Sequence, residues 1–336
     1  MTVLGTDNGG MRLYLAPMEG ITGYVYRNAQ HRFYNHIDKY FTPFITPTQN
    51  RKLTSKEMND ILPEHNQGMY VVPQILTNQA EGFLWAAEKA KELGYREVNL
   101  NLGCPSGTVV AKGRGAGFLA DPWKLDRFLH QVSEGILRLD MQLSVKTRIG
   151  VLEAEEFYEL IEIFNRYPLC ELIIHPRLRT DYYKNHPNLD IYRDAVRLSR
   201  NPLCYNGDIF DAGACQTFIR EFPDTEAVMI GRGIIANPGL AEEIRTGRGL
   251  DKAHLRAYHD ALLLAYQDVI PGGKNVLFKM KELWFYLACI FEDSDKQVKR
   301  IKKSGKMAEY EAAVERLFAE CSLVEHGGFY VARAGK

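Results

Sequence analysis

The sequence predicts an α/β fold: a TIM (β/α)8 barrel followed by a C-terminal helical bundle domain. Three observations carry that expectation. Eight short apolar runs of strand length recur between Leu13 and Ile230. Amphipathic segments with helical periodicity separate them, the alternation that sets parallel strands inside a ring of helices. After Gly249 the strand-like runs stop and only helical periodicity continues. The alternating part is close to the ~250 residues usual for such a barrel, and strand count and length favour it over an open doubly wound sheet. The expected domains are a catalytic barrel over 1–248 and a helical domain over 249–336.

Taken in order, the strand expectations are Leu13–Ala16, Tyr40–Ile45, Tyr70–Leu76 and Glu97–Asn101 in the first half. Leu143–Thr147, Glu171–His175, Leu203–Asn206 and Ala227–Ile230 follow, the seventh entered through the turn dipeptide Asn201-Pro202. Helices are expected over Asn78–Leu93, Pro122–Leu137, Ala154–Arg166 and Ala212–Glu221. The bundle is expected from Leu255–Val269, Val276–Phe291 and Met307–Cys321, separated by Pro271-Gly272-Gly273 and a charged link.

Composition narrows the class. With 46% hydrophobic and 25% charged residues the chain is ordinary globular material, which excludes disorder. Lys+Arg and Asp+Glu are 42 each, so no global basic excess marks a nucleic-acid partner, and local clusters must carry any such signal. Six scattered cysteines with no Cys-x-x-Cys spacing exclude a disulfide framework and a paired zinc site, so no metal is expected. Met1–Gly10 is polar and lacks the apolar run of a signal peptide, and no stretch approaches a membrane span of ~18–20 apolar residues. The expectation is a reduced, cytoplasmic, monomeric protein with no membrane partner.

Reactive side chains gather where the strands end, which in barrels is the catalytic rim. Cys104 follows the fourth strand, Lys146 sits near the end of the fifth and His175 ends the sixth. Asn206-Gly207-Asp208 and Gly231-Arg232-Gly233 follow the seventh and eighth, where barrels commonly hold a phosphate on backbone N–H groups. Arg232 would add a charge-assisted contact. Cys104 has no histidine adjoining it in sequence, so it reads as a proton donor, a nucleophile or an inert loop thiol.

Together these segments resemble the tRNA-dihydrouridine synthases. The resemblance rests on Ala16-Pro17-Met18-Glu19-Gly20-Ile21-Thr22, Asn101-Leu102-Gly103-Cys104-Pro105-Ser106 and the Gly-rich stretch from Gly113 to Pro122. It continues through Val145-Lys146-Thr147-Arg148, His175-Pro176-Arg177, Asn206-Gly207-Asp208-Ile209 and Ile230-Gly231-Arg232-Gly233. It implies a flavoprotein that binds FMN, draws on NADPH, and reduces the 5,6 double bond of a uridine in RNA, tRNA being the favoured target. By that resemblance Pro17 and Met18 line the flavin ring, Gln74 contacts it and Lys146 reaches its edge. His175, Asn206, Gly207, Asp208, Gly231 and Arg232 surround the ribityl chain and phosphate. Cys104 is the catalytic proton donor, Asn101 lies between flavin and substrate base, and Arg177 stands at the substrate-facing rim.

RNA contact is expected from the helical domain. The run Lys296–Lys306 holds six basic residues and no acid, and Lys279 with Lys281 flanks a basic-aromatic helix whose Trp284 is expected in the core. Departures from the family pattern at Phe41–Phe44, at Ile75 after Gln74, and at Leu178 and Asp181 leave a ribosomal RNA target open. Two other readings stay open at this level. One is an FMN barrel oxidoreductase acting on a small enone or pyrimidine; the other is a non-catalytic RNA-binding protein.

Overall fold

The computed structural model describes residues 10–330, so the polar N-terminal segment discussed above, apart from Gly10, lies outside the described residues. Its strands are β1 (Arg12–Leu15), β2 (Lys39–Phe41), β3 (Val71–Val72), β4 (Gln74–Ile75) and β5 (Glu97–Leu102). β6 (Gln142–Gly150), β7 (Glu171–Leu178), β8 (Leu203–Tyr205) and β9 (Ala227–Ile230) complete the sheet. Every ladder is parallel, in the order β3-β2-β1-β9-β8-β7-β6-β5-β4.

The two ends of that order are halves of one predicted strand. Pro73 has no N–H to give a ladder, so the segment breaks there. Its first half pairs with β2 and its second with β5. Around the break, Asn99 N donates to Pro73 O at 2.9 Å and Ile45 N donates to Gln74 O at 2.8 Å. These bonds close the ring, which therefore has the eight staves expected from the sequence.

Alternation along the staves separates two apolar zones. Tyr14, Phe41, Val72, Ile173, Cys204 and Met229 fill a small cluster of their own, distinct from the main core. Leu13, Leu15, Val98, Leu100, Leu172 and Ile174 belong to that main core, together with the apolar faces of the helices. At the N-terminal ends of the strands a charged group forms the floor. Lys39 Nζ lies 3.1 Å from Glu97 Oε2 and 3.3 Å from Glu171 Oε2. Tyr14 donates to Glu171 at 2.7 Å and Tyr70 to Glu97 at 3.0 Å. Burial pushes the Glu171 carboxyl above its ordinary range, against the pull of Lys39.

The four expected barrel helices form as Ala80–Glu92, Pro122–Arg138, Glu156–Phe164 and Ala212–Glu221. Asp121 and Asp211 cap the second and fourth through their side chains. Tyr24–Phe33 and Leu189–Leu198 are further helices that the sequence reading passed over. Beyond the barrel come Lys252–Val269, Gly273–Leu287 and Met307–Glu320, and the expected charged link is itself a helix, Asp295–Lys303. Val298 and Ile301 turn its apolar side inward, leaving the lysines on the opposite face. Trp284 Nε1 donates to the Tyr310 hydroxyl at 2.8 Å, and His259 Nε2 meets the same hydroxyl at 2.7 Å, so Trp284 is core as expected. The bundle seats on the barrel where Tyr258 packs edge-on against Phe33 and Tyr34. Among the described residues no helix is long and apolar enough to cross a membrane.

Candidate active site

Cys104 follows β5 directly, and the strand's own amides fix where it stands. Asn101 Oδ1 accepts from Gly103 N at 3.1 Å and from Cys104 N at 3.0 Å. Asn101 Nδ2 donates to Gln74 Oε1 at 2.7 Å, Gln74 Nε2 donates to Asn99 Oδ1 at 2.7 Å, and Asn99 Nδ2 donates to Ser144 Oγ at 2.9 Å. This chain of amides ties the Cys104 turn to three neighbouring staves. On the far side Ala116 N donates to Cys104 O at 3.0 Å. Gly115 makes that approach possible: its φ is +55°, and a Cβ there would meet Cys104 O at 2.7 Å.

Arg148, which the sequence reading placed only within a motif, is the other anchor of this turn. It is 1% exposed, and Nε donates to Gly103 O at 3.0 Å. Its other nitrogens donate to Leu178 O at 2.6 Å and Tyr182 O at 2.8 Å. One guanidinium thus joins the cysteine turn to the loop after β7. Its place two residues from Lys146 on a strand was the available signal, because alternation puts both on one face.

Eight of the expected residues line a single cleft at the C-terminal mouth: Pro17, Met18, Lys146, His175, Asn206, Gly207, Gly231 and Arg232. Tyr183 and Phe210, absent from the sequence expectation, complete its wall. Lys146 enters the cleft with no hydrogen-bond acceptor and no carboxylate among the described residues. Burial, with Arg148 nearby, lowers its pKa to about 8. His175 Nε2 accepts from Arg177 Nη1 at 2.9 Å. Burial first, then the surrounding cations Lys146, Arg148, Arg177 and Arg232, keeps that imidazole neutral, well below its ordinary pKa. The Cys104 thiol is half-buried, and burial raises its pKa; the Ser106 backbone, Arg148 and Lys146 pull the other way.

Five more of the expected residues stand outside the cleft lining. Arg177 is 1% exposed and grips Asp208 at 2.9 and 2.5 Å, a buried brace behind the cleft. Asp208 also accepts from Arg232 at 2.7 Å; it orients two arginines and lies outside the cleft lining. Gln74 and Asn101 are buried with both ends of their amides engaged by this chain, and act behind Cys104. Lys279 donates to the Gly20 carbonyl and lies 3.1 Å from Glu282 Oε2. It clips the bundle to the loop after β1.

The basic run builds a second feature. Lys296, Lys299, Arg300 and Lys303 from one helix and Arg316 from the next line a groove in which Glu309 is the single acid.

Comparisons with known proteins identify the family. A family model described as dihydrouridine synthase (Dus) matches residues 14–313. The chain is 30% identical over 242 residues to tRNA-dihydrouridine(16) synthase of Escherichia coli (strain K12), covering 70% of this chain and 76% of that protein. To the protein of the same name in Pseudomonas putida it is 27% identical over 260 residues, 76% of this chain and 79% of that one. Among solved structures, 2-naphthoyl-CoA reductase matches with a TM-score of 0.54 at 11% identity, over 70% of this chain and 50% of that one, a likeness of fold alone. With a mouth built from the same residues that carried the sequence resemblance, and a family model spanning barrel and bundle alike, the chain belongs to the dihydrouridine synthase family.

Proposed function

We propose that this protein reduces the 5,6 double bond of a uridine in tRNA to dihydrouridine, with FMN held in the barrel mouth and NADPH as reductant. The observation that carries the reading is Lys146, a partly buried ammonium without a partner among the described residues, in a cleft beside the turn that presents Cys104. A partly desolvated cation with no counter-charge calls for an electron-rich ligand. FMN fits that demand. Pro17 and Met18 would meet its ring and Lys146 the ring edge, while Asn206, Gly207, Gly231 and Arg232 would hold the ribityl chain and phosphate.

Reducing the double bond adds a hydride at one carbon and a proton at the other. FMN, once reduced by NADPH, supplies the hydride when bound. Cys104 supplies the proton: its raised pKa keeps the thiol protonated at neutral pH, and the thiolate left behind recovers a proton from solvent. Asn101 and Arg148 hold the turn that carries the thiol, so its approach to the base is set in advance. Lys146 opposes negative charge at the mouth.

The base must leave its stack to reach this mouth, which requires the protein to grip RNA on either side. The groove of Lys296, Lys299, Arg300, Lys303 and Arg316 supplies phosphate contacts for that grip. The same reading divides the labour: residues 1–248 for catalysis and 249–336 for RNA. The names of the relatives make uridine 16 the first position to examine.

The test is spectroscopic. Flavin bands of the purified protein should bleach on adding NADPH and recover anaerobically with tRNA that lacks dihydrouridine, but not with free uracil. A protein that takes up no FMN overturns the flavin reading. Recovery with uracil alone would favour a small-molecule reductase.

A further inference from the structure

Arg232 is the cation expected nearest the phosphate, and three rings from different parts of the chain surround it. Its guanidinium carbon lies 4.7 Å from the Tyr183 ring centroid, 4.9 Å from Phe210 and 5.3 Å from Phe329. Tyr183 comes from the loop after β7 and Phe210 from the loop after β8. Phe329 comes from beyond the last helix of the bundle, far from the barrel in sequence.

The path that delivers Phe329 is built with care. The chain leaves the helix Met307–Glu320 and pairs with the turn that follows the helix Gly273–Leu287, Val324 N donating to Ile290 O at 2.9 Å. It then crosses to the barrel. His326 Nδ1 meets Glu243 Oε1 at 2.6 Å, and Asn237 Nδ2 donates to Gly327 O at 2.8 Å. Phe329 N bonds Phe210 O at 3.3 Å. Gly328 lies so close to the barrel loop that a Cβ there would stand 2.0 Å from Phe210 O, so no other residue fits without moving the strap. Phe329 itself is buried, its ring 5.2 Å from Phe210 and 5.7 Å from Tyr286.

We propose that residues 326–329 form a strap that completes the phosphate end of the cleft, with Phe329 a positioning residue for Arg232. This rests on the flavin reading above. The rings crowd the guanidinium while Asp208 accepts from it at 2.7 Å, which limits the orientations its N–H groups can take at the cleft. Without Phe329 the side chain keeps its charge but loses that confinement. The cost should then fall on ligands that carry a phosphate and spare those that do not.

Comparing FMN with riboflavin, which lacks the phosphate, reads this directly. Binding of each would be measured by fluorescence quenching on flavin-free wild type, Phe329→Leu and Gly328→Ala, with melting curves establishing that the variants fold. The preference for FMN over riboflavin should fall roughly three- to tenfold in both variants, while riboflavin binds as in wild type. Equal weakening of both flavins would make the strap a general structural support and overturn the proposal, as would an unchanged preference. A wild type that binds neither flavin overturns the flavin reading itself and the strap's role with it. That outcome is distinct, because it shows in the wild type before any variant is made.

Discussion

Lys146 and Cys104 sit at the same mouth, and burial moves their pKa values in opposite directions, each with a consequence for pH. The folded-state pKa of Lys146 is lowered to about 8, so its charge is present below that pH and lost above it. FMN binding should therefore weaken as pH rises through about 8, by up to about tenfold per unit, since binding an electron-rich ligand favours the charged lysine. Lys146→Met should bind more weakly and lose this dependence, as flavin fluorescence titrations from pH 6.5 to 9.5 would show. Cys104→Ala should keep bound flavin, because the thiol is not part of the cleft lining, yet slow tRNA-dependent reoxidation by ~10²–10⁴-fold. Stopped-flow absorbance under anaerobic conditions measures that step. The mouth residues were legible because glycine turns and polar residues after apolar runs mark where strands end. The partners of Arg177, Asp208 and Lys279 within the chain were not legible, because only the fold brings them together. Arg177 and Asp208 are 31 positions apart, and Lys279 finds its carbonyl 259 positions away. Local spacing carries no trace of such pairs.

Among the elements, the helix Asp295–Lys303 shows how a charge run conceals periodicity. Its apolar positions are Val298 and Ile301, too few to stand out among five basic residues, yet they suffice once the bundle offers a face to receive them. The exposed face then gathers cations at helical spacing with a neighbouring helix's Arg316. Reversing two of them, Lys299→Glu with Lys303→Glu, should weaken tRNA binding about tenfold or more and flatten its salt dependence by roughly two in the log–log slope. Filter binding at several salt concentrations reads both. Flavin content and melting temperature should stay as in wild type, since both side chains are exposed. The segment 71–75 departs from expectation for a different reason. A single proline removed one ladder bond and split the stave, without disturbing the apolar pattern that marked it.

For the molecule as a whole, stability depends on the charged floor as well as the apolar core. Glu97 and Glu171 stand first in their strands, and ring closure buries both beneath Lys39. Lys39→Met would leave two buried carboxylates with Lys39's charge removed, and should destabilise the fold by ~3–5 kcal/mol at pH 7.5. The sign of the pH effect follows from Glu171, whose folded pKa is raised above its unfolded value. Its ionised form therefore costs stability above the folded pKa, and that cost fades as pH falls. The deficit should be smaller at pH 5.5, which urea denaturation at the two pH values would test. The parallel seam between β1 and β9 reaches beyond the finished protein. Arg12 pairs with Ala227, so during synthesis the first strand leaves the ribosome about 200 residues ahead of its partner. Until then its open edge and the apolar faces of the early staves have nothing to pair with. A newborn chain of this protein should lean on holding chaperones in a way that the same chain, refolding at full length, does not.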